Sequence, residues 1–99
     1  MIDLQTVRLI HDKMIENYGG LPGMADADRI SGVLGRVENL LHYEGHMFDQ
    51  FNIAALYLMA IARAHIFNDA NKRTALGVAL YYLQREGIQL RKDEWAQLM

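Results

Sequence analysis

DQFNIAALYLMAIARAHIFNDANKRT, residues 49–74, decides the fold of this chain. Asp49 is the helix-capping type, and an apolar run follows it without proline or glycine, so the spacing predicts a helix that crosses the core. Phe51, Ala54, Ala55, Leu58, Ile61, Ala62 and His65 are assigned to its inward stripe, which brings His65 to the C-terminal end. Asn68-Asp69-Ala70 then interrupts the pattern and turns the chain, and a second helix is expected from about Lys72 to Glu86. Leu76, Ala79, Leu80 and Leu83 point inward on it, and Gly87 closes it.

Working outward, Leu4, Val7, Ile10, Met14, Ile15 and Tyr18 repeat at helical spacing behind a potential cap at Asp3, with Gly19-Gly20 as the stop, so a first helix is expected at about 4–18. Leu21-Pro22-Gly23-Met24 cannot continue it, because proline lacks the donor that a helix needs. Asp26 can cap the next helix, with Ile30, Val33, Leu34, Val37, Leu40 and Leu41 inward. Residues 42–47 read as irregular, with Gly45 as breaker, and Asp93 as the cap of a final turn through Trp95 and Leu98. Only residues 87–90 read as briefly extended, and neither a repeat nor an alternating strand pattern is present. The expectation is an all-α domain of about five helices.

A length of 99 residues with 52% hydrophobic content suits one small domain. A net charge of −2 supplies no broad positive field, so direct DNA binding is not expected and any phosphate binding must be local. The absence of cysteine excludes disulfides and thiol catalysis. No apolar run approaches the ~18 residues of a membrane span, and the N-terminus lacks the layout of a signal peptide, so a soluble, cytoplasmic protein is expected.

The chemistry concentrates at the turn. Lys72 and Arg73 stand in a first helical turn, where cations oppose the macrodipole unless an anion compensates them. Such a helix start attracts phosphate. Asp69 is placed to hold a magnesium ion against the same phosphates, and His65 is the side chain suited to take a proton near neutral pH. Phe67 reads as an apolar anchor, and Thr74 as structural. His42 and His46 lie in His-Tyr-Glu-Gly-His, which matches neither zinc spacing, so a structural zinc is not expected.

His65-x-Phe67-x-Asp69-Ala70-Asn71-Lys72-Arg73 resembles the signature of the Fic/Doc family, in its death-on-curing (Doc) branch, where a lysine replaces the glycine of the adenylyl-transferring Fic branch. Gly19-Gly20-Leu21-Pro22-Gly23-Met24, Gly35-Arg36-Val37 and Thr74-Ala75-Leu76 extend the resemblance over nearly the whole chain.

The resemblance implies a compact helical bundle that transfers a group from a nucleoside triphosphate to a protein hydroxyl. In the Doc branch this is the γ-phosphoryl of ATP, moved to a threonine of translation elongation factor Tu in a toxin–antitoxin system. By similarity, His65 and Asp69 would be catalytic, with Asp69 at the Mg2+ site. Asn68, Ala70, Asn71, Lys72 and Arg73 would bind the nucleotide phosphates, and Gly20, Leu21, Pro22, Gly23 and Met24 would form a target-clamping loop.

Leu76 stands where the Fic branch has a second arginine, which argues against AMP transfer. The Fic inhibitory pattern is also missing, since Glu16, Glu44 and Glu86 follow Asp12, Leu40 and Tyr82 at the relevant distance. Inhibition is therefore expected from a separate small antitoxin whose disordered tail folds on binding. The resembled toxins continue past Met99, so residues 1–99 read as one domain lacking the final helix. The alternative reading is a truncated, inactive or weakly active module that binds an antitoxin.

Overall fold

The computed structural model describes residues 2–23 and 27–88, and the expected Asp26 cap, Met24 and the final turn at Asp93 lie outside them. The described residues are all-helical: α1 (Leu4–Tyr18), α2 (Ala27–Glu44), a short 3-10 turn (Gly45–Met47), α3 (Gln50–Ala64) and α4 (Asn71–Arg85). No helix among them is long and apolar enough to cross a membrane.

Local signals set the ends. The Thr6 N–H donates to the Asp3 carboxylate at 2.8 Å, and Gly19 ends α1 with a φ of 83°, which an L side chain avoids. Asp49 and Asn52 form a reciprocal capping box, each side chain accepting from the other's backbone N–H, so α3 starts where the sequence places it. At the end of α4, Gly87 donates to the Gln84 carbonyl and Ile88 to that of Leu83 around a left-handed glycine. That is the Schellman arrangement, and Ile88 packs against the core as the motif requires.

The molecule is 38 × 34 × 19 Å, and its thin dimension is about two helix diameters of 10–12 Å. Helix α3 packs chiefly on α4; α2 packs on α3, α1 packs on α4, and α1 also touches α2. The core between them is built from Val7, Ile30, Val33, Tyr57, Ile61, Ile66, Ala75 and Val78, each at most 2% exposed.

Two expectations are corrected. Residues 42–44 are helical, because α2 continues to Glu44 before Gly45 relaxes into the 3-10 turn. The buried positions of α3 are Ala54, Tyr57 and Ile61, whereas Phe51, Ala55 and His65 are exposed and Leu58 and Ala62 half-buried. The stripe is displaced by less than one residue's rotation of ~100°. Because α3 is apolar nearly all round, periodicity could not select a face. The selected face buries the Tyr57 ring, whose hydroxyl accepts from the Ile2 N–H at 3.3 Å. On α4, Leu76 is likewise only half-buried, while Ala75, Val78 and Tyr82 join Ala79, Leu80 and Leu83 inside.

Helices α1 and α4 meet at Gly77, where an added Cβ would sit 2.8 Å from both Ile10 Cγ2 and Met14 Cε. Gly77→Val is therefore expected to cost about 1–3 kcal/mol by overpacking. Thermal denaturation should show a Tm lower by on the order of 10 °C.

Candidate functional site

The site is the loop between α3 and α4, and its shape begins with the last turn of α3. Arg29 of α2 donates from Nη1 to the Ala64 carbonyl at 2.9 Å, occupying an acceptor that the helix end leaves over. His65 follows in the left-handed region (φ 50°, ψ 51°), a conformation usually given to glycine at this position. The reversal carries the imidazole into solvent while Ile66 and Phe67, at 0% and 3% exposure, plunge into the core. Phe67 is thus the expected anchor. Its ring also stacks on the imidazole of His11, centroids 3.8 Å apart and planes 7° from parallel.

Asn71, the first residue of α4, reaches back across the loop. Its Oδ1 accepts from the Phe67 N–H at 3.0 Å and its Nδ2 donates to the Phe67 carbonyl at 2.9 Å. Both ends of the amide therefore hold loop backbone.

Asp69 is held on three sides. Its Oδ1 accepts from the Ala70 N–H at 2.8 Å, its Oδ2 from the Leu21 N–H at 3.2 Å, and its main-chain carbonyl from His11 Nε2 at 3.0 Å. The Ala70 and Leu21 hydrogen bonds pull its pKa below the ordinary carboxylate value against a smaller desolvation effect, and Arg73 and His11 add to the lowering. The carboxylate is ionised at neutral pH, and the two bonds leave about two of its roughly four lone-pair sites.

Ala70 is also left-handed (φ 64°, ψ 29°) and, as the residue before α4, offers no side-chain acceptor to the helix start. Lys72 and Arg73 occupy the first turn, which has no acidic residue. The positive end of a 15-residue helix, two cations and an ionised carboxylate thus adjoin one another a few residues from an exposed imidazole. That arrangement can bind an anion and receive a proton beside it. Thr74 is fully buried, its N–H donating to the Ala70 carbonyl at 2.9 Å.

The loop after α1 lies against this site. The Asn68 N–H donates to the Gly23 carbonyl, Asn68 Nδ2 to the Pro22 carbonyl and Arg73 Nη2 to the Gly19 carbonyl, at 3.3, 3.2 and 3.4 Å. Gly20 permits the approach: its φ is 127°, and a Cβ there would lie 2.8 Å from Asp69 Oδ2. The structure therefore brings Gly20, Leu21, Pro22 and Gly23 to the same place as residues 65–73. His42 and His46 are exposed at the end of α2 and in the 3-10 turn. Among the described residues, no three His, Asp or Glu side chains converge on a common point.

A magnesium ion, which the motif's resemblance implies, does not need such a cluster. It commonly takes one or two carboxylates and completes its shell with phosphate oxygens and water, and the ionised, half-engaged Asp69 fits that role.

Sequence reading missed His11 because the stripe of this helix was drawn through apolar residues alone, with Ile10 and Met14 on either side of it. A polar side chain four residues after Val7 and three before Met14 was the available signal, since that position falls on the buried stripe. The strap from Gly19 to Gly23 gave no numerical pattern to follow.

A family model described as the Fic/DOC family matches residues 1–83. The chain is 53% identical over 81 residues to the protein "Protein kinase doc" of Escherichia phage P1, a match that covers 82% of this chain. It covers 64% of that relative, so the chain spans less than two thirds of the relative's length.

Proposed function

Because this chain belongs to the Fic/DOC family, we propose that it transfers the γ-phosphoryl group of ATP to a threonine hydroxyl of translation elongation factor Tu and so arrests translation, as the toxin of a cytoplasmic toxin–antitoxin pair. The observation that carries this reading is that one short loop carries the exposed His65, the ionised Asp69 and the cation-bearing start of α4, which has no side-chain cap.

His65 accepts the proton of the threonine hydroxyl. The hydroxyl oxygen forms its bond to the γ-phosphorus as the bond from that phosphorus to the β–γ bridging oxygen breaks, and ADP leaves with the electron pair. Phosphoryl transfer asks the protein mainly for positioning and charge neutralisation. Lys72, Arg73 and the first-turn N–H groups of α4 hold the phosphates, with the backbone of Asn68 and Ala70 beside them. Asn71 keeps the loop in shape through Phe67. Asp69 would hold a magnesium ion, which when bound would supply further neutralisation of the phosphate oxygens. The loop of Gly20, Leu21, Pro22, Gly23 and Met24 receives the target, and the 64% exposure of Leu21 suits a contact with another protein.

Neutralisation by a small antitoxin belongs to the same reading. The groove of about 380 Å³ between α1 and α4, lined by Leu9, Ile10, Met14, Tyr18, Gly77 and Tyr81, offers an apolar seat to a tail that folds into a helix on binding. Co-expression of the antitoxin should relieve growth arrest. Arrest that persists would remove this partner from the account.

Parallel incubations of the chain and elongation factor Tu with γ-labelled and α-labelled ATP test the donor chemistry. Lys72 adds a charged side chain where the Fic branch has glycine, so label is expected from γ-labelled ATP only, with ADP as co-product. Label from α-labelled ATP with release of pyrophosphate would assign adenylyl transfer instead.

A further inference from the structure

We propose that His11, on α1, is a positioning residue for the loop chemistry: it locks the peptide plane between Asp69 and Ala70, and through that plane it aims both the Asp69 carboxylate and the first N–H groups of α4. The inference rests on the phosphotransfer reading of the loop and adds a residue from outside the motif.

The peptide plane in question is gripped at both ends. Its carbonyl, that of Asp69, accepts from His11 Nε2 at 3.0 Å, and its N–H, that of Ala70, donates to Asp69 Oδ1 at 2.8 Å. Rotation of the plane breaks both bonds together. It also carries Ala70 out of its φ of 64°, a left-handed conformation that alanine does not adopt unaided. Since Ala70 is the residue from which α4 departs, the plane sets the direction of the helix start that faces the phosphates.

His11 is built to hold this plane still. It is 1% exposed, and a carbonyl can only accept, so the hydrogen resides on Nε2. The ring lies flat on Phe67, and its Nδ1 is 3.3 Å from the exposed Asp12 carboxylate. The stack fixes the plane of the ring, and the Nε2 bond to the Asp69 carbonyl fixes its rotation within that plane. A residue wanted only for packing would be served by leucine or phenylalanine, without the cost of burying a polar ring.

The test compares His11→Phe, which keeps a stacked ring but removes the donor, with His11→Gln, whose amide nitrogen can reach the same carbonyl. His11→Phe is expected to lower kcat about 100-fold, the cost of a roughly 1 Å misplacement, with KM for ATP changed by less than about threefold. His11→Gln should recover most of kcat, and the Tm values of the two variants should not follow that order.

The backbone amide resonances of Leu21 and Ala70, both bonded to the Asp69 carboxylate, should move in His11→Phe and stay near wild type in His11→Gln. Unmoved amide resonances in His11→Phe overturn the proposal, as does an unchanged kcat or an equal loss in both variants that tracks Tm. If the wild-type chain transfers no phosphoryl group, the functional reading fails, and the amide resonances still decide whether His11 positions the loop.

Discussion

His65→Ala is expected to reduce phosphoryl transfer by about 10²–10⁴-fold, the range over which a positioned general base contributes. The fold should persist, because the imidazole is exposed and alanine meets the left-handed backbone at this position on the same terms as histidine, as another residue with a Cβ. The backbone supplies a sharper version. His65 holds a φ of 50°, where glycine is the unstrained residue, so His65→Gly should be as inactive as the alanine variant yet at least as stable as wild type. Initial rates of label transfer, measured with Tm on the same preparations, check both parts. Transfer at the wild-type rate in either variant removes His65 from the proton transfer. A large fall in Tm for His65→Gly would show that the imidazole is held for stability.

Asp69→Ala should abolish the effect of magnesium on nucleotide binding and loosen, without freeing, the loop after α1. The variant loses the carboxylate that accepts from Ala70 and Leu21, so the metal ligand goes together with the strap's bond at Leu21, while the bonds from Asn68 and Arg73 stay. Calorimetry of ATP binding should show magnesium strengthening binding to the wild-type chain at least about tenfold, and having no effect on the variant. Unchanged magnesium dependence would move the metal role to another residue.

Solution pH should not mimic this loss near neutrality. A carboxylate with a depressed folded-state pKa stabilises the fold fully above its unfolded value and loses that contribution as pH falls through the depressed value. Between about pH 5 and 8 the strap is therefore constant, and any pH dependence of transfer in that window originates elsewhere.

The parts of the fold governed by neighbours in sequence were legible there. Asp3, Gly19, Asp49 and Gly87 end or begin helices through bonds spanning a few residues, and the structure shows those bonds. The buried face of α3 was not legible. With apolar side chains nearly all round that helix, the choice of Tyr57 over Phe51 depends on what packs against it from α4 and from Ile2.

The site divides in the same way. His65, Asp69, Asn71, Lys72 and Arg73 were legible as candidates because one loop carries them in order. His11 and the Gly19 to Gly23 strap act on that loop from 45 to 58 residues away in sequence, through hydrogen bonds that no local pattern encodes. Asn71 has a bond pattern that its place in the loop did not disclose, since its amide is bonded at both ends to Phe67.

The central claim is that this loop moves a phosphoryl group onto a threonine of elongation factor Tu. Mass spectrometry of the factor, recovered from cells expressing the wild-type chain or His65→Ala, tests it directly. The account predicts one added phosphoryl group, mapped to a threonine, with the wild-type chain and unmodified factor with the variant. An unmodified factor in growth-arrested cells, or an added AMP, would contradict it.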